Sequence, residues 1–310
     1  MGRSIRIEDP HKVSLLTTKT RLAELWFIAN QAFEEEVLAY LAKITEKYGV
    51  ELYAFCLQGN HYHIEAKFPL MNRSDFTRDL NSEFQRALKR HQPLFEGGTL
   101  WSRPYSEEWI PRSEDVLDRF FYCALQAIQN GLTETIEEYP AFNSFHDAIN
   151  GTEKTYKIFD GTAFYNAKRK DPSVKKSDFY VPYTLKFQRP PEYSSMSPQD
   201  YKAFMLKELQ RRTIEAKQER IAKGKLGFLG RDKILQLRPG SKPMTTKKST
   251  RNSHRPLVLT RCAETRAECV RIIFDIRALH RDASIRFRAG ETSVRFPPGT
   301  FRPPSRIPRT

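Results

Sequence analysis

Gln58-Gly59-Asn60-His61-Tyr62-His63-Ile64-Glu65-Ala66-Lys67-Phe68-Pro69 decides how the chain folds. From His61 onward, polar and apolar residues alternate strictly. Successive side chains of a strand point to opposite faces, so His61, His63, Glu65 and Lys67 share one side and Tyr62, Ile64, Ala66 and Phe68 the other. The apolar set needs a core. The two imidazoles then stand together on the polar face with Cα atoms about 6.6 Å apart, near enough to reach one metal ion. The polar neighbours Glu65 and Lys67 mark that face as outside the core.

Working outward, residues 51–57 form a mostly apolar run, and Gln58-Gly59-Asn60 turns it into the histidine strand as a hairpin. Upstream, residues 13–19 are a β-branched strand flanked by Arg3, Arg6 and Arg21. Residues 31–48 carry Phe33, Val37, Leu38, Leu41, Ile44 and Tyr48 at helical spacing and stop at Gly49. Downstream, residues 74–91 are a second helix. Residues 99–105 read as a short strand that Pro104 confines to an edge or an end. Ser113 then caps a helix over about 114–130, with Glu114 and Asp115 in its first turn. The order strand–helix–strand–strand–helix–strand–helix predicts an α+β fold, an antiparallel sheet with helices on one face and a site on the other.

The 114–130 helix has a buried stripe of Val116, Leu117, Phe120, Phe121, Ala124, Leu125, Ile128 and Leu132. At about 100° per residue, Tyr122 lies roughly 150° from its centre. Gln126 and Gln129 lie on the same side, so the helix presents a phenol and two carboxamides away from its apolar face.

Charge divides the chain. Residues 1–150 hold 16 basic and 22 acidic side chains, a balance of −6, leaving 36 and 15 of the totals of 52 and 37 for residues 151–310, a balance of +21. Such asymmetry points to a polyanion, nucleic acid above all, with non-specific attraction to acidic surfaces as the plainer reading. In that half, residues 155–195 show no clear period. Helices are expected near 197–223, with Pro198 at the first position and Gly224 past the end, and near 261–281. A Lys/Arg/Ser/Thr linker covers 238–256, and a proline-rich end is held down by Phe296 and Phe301. A division into 1–150 and 151–310 follows. No apolar run approaches the ~20 residues of a membrane helix. The N-terminal residues lack a signal peptide's apolar segment. Cys56, Cys123, Cys262 and Cys269 form no CxxC pair and are expected to be reduced in a cytosolic protein.

A His-x-His strand is by itself more often structural or incidental than a metal site, and the polar neighbours Glu65 and Lys67 favour the metal reading. Two imidazoles and a carboxamide oxygen would suit manganese; zinc wants a further His, Cys or carboxylate. A phenol attacks a phosphodiester when a Lewis acid polarises the phosphate. Trp101, Arg103 and Tyr105 are groups of the kind that hold single strands.

These residues resemble the HUH single-tyrosine transposases, in particular the REP-associated tyrosine transposases. Asn60-His61-Tyr62-His63-Ile64 is similar to that family's Asn-His-hydrophobic-His-Leu. Tyr122-Cys123-Ala124-Leu125-Gln126, continuing to Gly131-Leu132, is similar to its Tyr-Ile-x-x-Asn-Pro-x-x-Ala-Gly-Leu-Val. Glu138-Tyr139-Pro140 and Leu100-Trp101-Ser102-Arg103 resemble two further motifs, and the likeness covers about residues 1–147. Phe228-Leu229-Gly230-Arg231 and the Phe296–Phe301 stretch look like parts of longer members. Departures are Gln126-Ala127 where many relatives have Asn-Pro, and Gln58-Gly59 where they have Met-Pro. The resemblance implies a ferredoxin-like domain that cuts single-stranded DNA at hairpin-forming repeats. Tyr122 would be the nucleophile, and His61, His63 and Gln126 would hold Mg2+ or Mn2+. Arg3, Arg6, Arg21, Trp101 and Arg103 are expected on the DNA, and Tyr62 in the core. The protein is expected to be a monomer or homodimer in the bacterial cytoplasm, associated with the nucleoid. The alternatives are a non-catalytic, domesticated binder of DNA or RNA hairpins, and a replication initiator or relaxase using the same chemistry.

Overall fold

A computed structural model describes residues 5–243 and 256–303. The chain begins with β1 (Val13–Lys19), α1 (Gln31–Tyr48), β2 (Glu51–Gln58), β3 (His61–Lys67), α2 (Arg73–His91) and β4 (Ser106–Ile110). Its strands form one antiparallel sheet in the order β2-β3-β1-β4, the α+β arrangement that the element order predicted, with the ferredoxin-like topology that the resemblance implied. β1 and β3 are central, which explains their near-continuous burial.

Local signals set the ends of these elements. Asn30 caps α1 by accepting from the Phe33 amide at 3.0 Å, and Gly49 closes it in a left-handed conformation at φ 58°. Gly59 forms the β2–β3 turn where an added Cβ would come within 2.9 Å of Ile28. The strand expected over 99–105 is displaced: that stretch is irregular, and the strand begins at Ser106. Trp101 makes only an isolated bridge to Thr20, and the alternation of Glu107 and Trp109 against Glu108 and Ile110 carries the pairing with β1.

Register sorts the side chains. Tyr62 and Ile64 face α1 and α2; the Tyr62 ring stacks on Phe84 at 4.9 Å and its hydroxyl donates to Asn81 at 2.7 Å. Tyr62 is therefore core, as the alternation required. The histidine face is covered by α3 (Ser113–Ala124), followed after one irregular residue by α4 (Gln126–Gln129). The continuous 114–130 helix is thus interrupted at Leu125 (φ −90°, ψ 8°). Side chains hold two of the carbonyls there: Gln126 Nε2 donates to Tyr122 at 3.0 Å and Asn143 Nδ2 to Ala124 at 2.8 Å. Ser113 is the first helical residue and makes no cap bond, Arg112 taking the cap position.

The second half is tied to the first. After α5 (Phe145–Asn150), a hairpin of β5 (Lys154–Phe159) and β6 (Tyr180–Leu185) encloses α6 (Gly161–Lys170) and packs on α1. Its aromatic and lysine residues do not follow a legible period because much of the hairpin is exposed. α7 (Pro198–Ala222) starts at a Ser197 cap and inserts Tyr201 and Met205 into the main core. A short α8 (Arg231–Leu235) follows. α9 (Ala263–Arg288) buries Cys269 and Ile273 with Ile7, Trp109 and Val258 in a second cluster; it runs seven residues past the expected end. Most of the expected 238–256 linker lies outside the described residues. At the proline-rich end, Phe296 packs on His280 and Phe287, whereas the Phe301 side chain is exposed and only its carbonyl is held, by the His280 ring. The four cysteines are free thiols, and burial pushes the Cys56 thiol up to about 12.

Candidate functional site

β3 sets His61 and His63 side by side with ring centroids 4.9 Å apart. Each ring is held through Nδ1. Asn60 donates its Nδ2 to the Ala23 carbonyl at 2.9 Å, which orients its Oδ1 toward His61 Nδ1 at 2.7 Å. An acceptor at Nδ1 puts the His61 proton there and leaves Nε2 with its lone pair. Thr17, directly opposite His63 in the β1–β3 register, contacts His63 Nδ1 through Oγ1 at 2.7 Å. His63 Nε2 is buried and has no hydrogen-bond partner. Both rings are held neutral: burial drives His61 well below its ordinary range, helped by His63 and Lys19, and drives His63 from 6.5 to about 4.

α3 and α4 supply the other wall. The Tyr122 ring meets the His63 ring edge-on, centroids 5.3 Å apart. The buried Gln126 carboxamide stands close enough to influence both imidazoles, without a hydrogen bond to His63 Nε2, and it draws back the Tyr122 phenol, whose pKa burial raises. Its oxygen accepts from Asn130 Nδ2 at 3.3 Å. Tyr122, His61, His63 and Gln126 are therefore brought together as the sequence predicts, in a setting it did not predict. Gln126 is buried rather than turned outward, and Tyr122 looks onto the sheet, half-buried.

The donor set fits a hard divalent ion better than zinc. Among the described residues, no three His, Cys, Asp or Glu side chains converge on one point. Two imidazole nitrogens and one carboxamide oxygen, with water on the remaining positions, suit manganese or magnesium. The orphaned Nε2 of His63 is the observation that favours such an ion, since an unpaired buried nitrogen costs about 1–3 kcal/mol.

Other expectations need correction. Glu65 is not on an open polar face. It is fully buried under α3 with neither oxygen hydrogen-bonded, and burial raises its pKa well above the usual carboxylate range against the pull of Arg119. Trp101 is not a free stacking platform: it donates Nε1 to the Asn81 carbonyl and packs its ring on Tyr62, Phe84 and Phe27. Arg6 lies over the Tyr105 ring at 3.5 Å and donates to the Tyr105 carbonyl, beside Glu107 on the face away from the histidines. Arg21 and Arg103 are exposed near the His61 end, where Arg21 N bonds Leu100 O and Ser102 N bonds Lys19 O. Arg3 lies outside the described residues. Sequence reading missed Thr17 and Asn60 as partners of the rings; the period-two register opposite His63 was the available signal for Thr17.

Residues 15–115, about a third of the chain, match the family model described as "Transposase IS200 like". The matched stretch includes His61 and His63 and stops short of Tyr122 and Gln126. No curated protein matches the chain. Among solved structures, a REP-associated tyrosine transposase bound to a REP hairpin aligns at 17% identity and a TM-score of 0.39, covering 49% of this chain and 88% of that one. A transposase candidate from Deinococcus radiodurans R1 aligns at 19% identity and a TM-score of 0.29, covering 39% and 94%. A bacterial tRNA(His) guanylyltransferase-like protein in complex with ATP aligns at 8% identity and a TM-score of 0.33, covering 65% and 93%. Among the described residues, no helix is long and apolar enough to cross a membrane.

Proposed function

We propose that the chain is a transposase that cuts and rejoins single-stranded DNA at hairpin-forming repeats, using Tyr122 as nucleophile and a divalent ion. The observation that carries this reading is the convergence of Tyr122 on the His61–His63 pair, with Gln126 buried one turn further along the same wall. The family match over residues 15–115 and the motif resemblance support it.

His61 and His63 would bind Mg2+ or Mn2+ through Nε2 and Gln126 through its amide oxygen. Bound there, the ion supplies a Lewis acid that draws charge from a non-bridging phosphate oxygen. The Gln126 oxygen carries two lone pairs, so it can ligate while accepting the 3.3 Å bond from Asn130, and the bond from its Nε2 to the Tyr122 carbonyl holds the carboxamide in place. Tyr122 Oη attacks phosphorus and its proton passes to solvent water. The bond from phosphorus to the 3′ oxygen breaks, and that oxygen takes up a proton to become a free 3′-OH. The DNA remains joined to Tyr122 through a 5′-phosphotyrosine. One phosphoester replaces another, so attack by a 3′-OH reverses the step without ATP.

Incubation with end-labelled single-stranded hairpin DNA and Mn2+ tests the reading. A covalent adduct that resists denaturation is expected, abolished by EDTA and by Tyr122→Phe. An adduct that persists in Tyr122→Phe, or no adduct from the intact chain, refutes it. A second reading has its own support: the balance of +21 over residues 151–310 and the family match that ends before Tyr122 also suit a hairpin binder without cleavage. That protein would bind hairpins with steep salt dependence and no response to chelator.

A further inference from the structure

We propose that Lys19 grips the scissile phosphate and acts as a second cation of the site; this rests on the site being the transesterification centre described above. Lys19 is the last residue of β1, and its Cα partner across the β1–β3 ladder is His61. Directly paired residues of an antiparallel ladder point to the same face with Cβ atoms about 4.5–5.5 Å apart. Two positions earlier, Thr17 reaches His63 on that same face, so the Lys19 stem rises beside His61.

The backbone under Lys19 is fixed. Its carbonyl accepts from the Ser102 amide at 3.0 Å and from Ser102 Oγ at 3.1 Å. The next residue, Thr20, is fully buried and bonds Asn60 O through its amide at 2.9 Å. Beyond that anchored Cα the side chain is exposed, and among the described residues it makes no ion pair. Most other cations of the first half are occupied: Arg73 by Glu107, Arg90 by Glu36, Lys47 by Asp79 and Arg6 by Tyr105.

An ammonium beside the histidine pair is unfavourable for binding a divalent cation, because like charges repel. It becomes favourable once a phosphodiester enters, since charge develops on the non-bridging oxygens in the transition state. A lysine kept at that position therefore fits a phosphate better than it fits the metal alone. An ordinary solvated lysine at a strand end would affect neither.

The two roles separate experimentally because they predict effects of opposite sign. Lys19→Met keeps the apolar stem and removes the charge; Lys19→Arg keeps the charge. The measurements are single-turnover adduct formation on labelled hairpin DNA at saturating DNA, and Mn2+ binding to the DNA-free protein. Lys19→Met is expected to slow adduct formation at least tenfold while binding Mn2+ as tightly as the parent or a few-fold more tightly, and Lys19→Arg to recover most of the rate. Adduct formation by Lys19→Met at the parent rate overturns the assignment. So does a parallel loss of Mn2+ binding, which would mark a structural role. If the parent chain forms no adduct at all, the transesterification reading fails and the assignment falls with it.

Discussion

Replacing Thr17 by valine removes one hydroxyl and nothing else of consequence. Valine matches threonine in shape and favours a strand at least as strongly, so β1 should be unaffected. What disappears is the 2.7 Å contact to His63 Nδ1. That nitrogen sits on a ring only 4% exposed, so water cannot readily take the hydroxyl's place. The uncompensated cost is about 1–3 kcal/mol. Its effect on metal binding follows from orientation and tautomer: a metal at Nε2 requires the proton on Nδ1, where the hydroxyl accepts it, and without that acceptor both the ring and the proton lose their anchor. Loss of such a partner typically weakens a metal site 10–100-fold. Titration of free Mn2+ by electron paramagnetic resonance at pH 7.5 measures this directly. Thr17→Val should bind Mn2+ at least tenfold more weakly than the parent, and Thr17→Ser, which keeps the hydroxyl, should bind within about threefold of it. Equal binding by the parent and Thr17→Val would refute the role of Thr17, and failure of the parent to bind Mn2+ would refute the metal site itself.

Three further outcomes are expected. Stability of the metal-free protein should fall as the pH drops below 6.5, because His63 protonates readily once unfolded but, buried, resists protonation until about pH 4. The loss is about 2 kcal/mol by pH 5, and a His63→Asn variant that shows an equal fall in urea midpoint would contradict it. Arg73→Leu should cost about 3–5 kcal/mol in urea unfolding, because it strands the Glu107 carboxylate paired with the buried guanidinium at 2.7 Å; a loss below about 1 kcal/mol would show that Glu107 simply protonates. Gly131→Ala should destabilise by about 1–3 kcal/mol, since φ there is +73° and the new Cβ would stand 2.3 Å from Arg220 Nη2. Adding Arg220→Ala should recover the steric part, and no recovery would leave the backbone conformation as the whole cause.

The sheet and its first two helices were legible because their signals are local. Strict alternation over His61–Phe68 is a period-two property of the backbone itself, and it put Tyr62 in the core and both histidines on one face before any contact was known. The α1 limits, from the Asn30 cap to the left-handed Gly49, are equally local. The strand at 106–110 was misplaced because Leu100 and Trp101 are apolar for another reason: Trp101 fills a core gap beside Tyr62 and Phe84, which no periodicity reveals.

For the candidate site, the sequence alone determined the residue types and their faces, down to Tyr122 lying off the apolar stripe of its helix. Only the tertiary structure decided what that helix faces. Tyr122 lies about sixty residues from His63 along the chain, and their 5.3 Å approach comes from α3 closing over the sheet. The same closure buries Glu65 and Gln126, which helical and strand periods alone assign to solvent. Tertiary packing also places two cations: Arg6 goes to the far face over Tyr105, and β1–β3 pairing leaves Lys19 beside His61. A period states which side chains share a face; the element that covers that face is chosen by packing between distant segments, and the chemistry of the site depends on that choice.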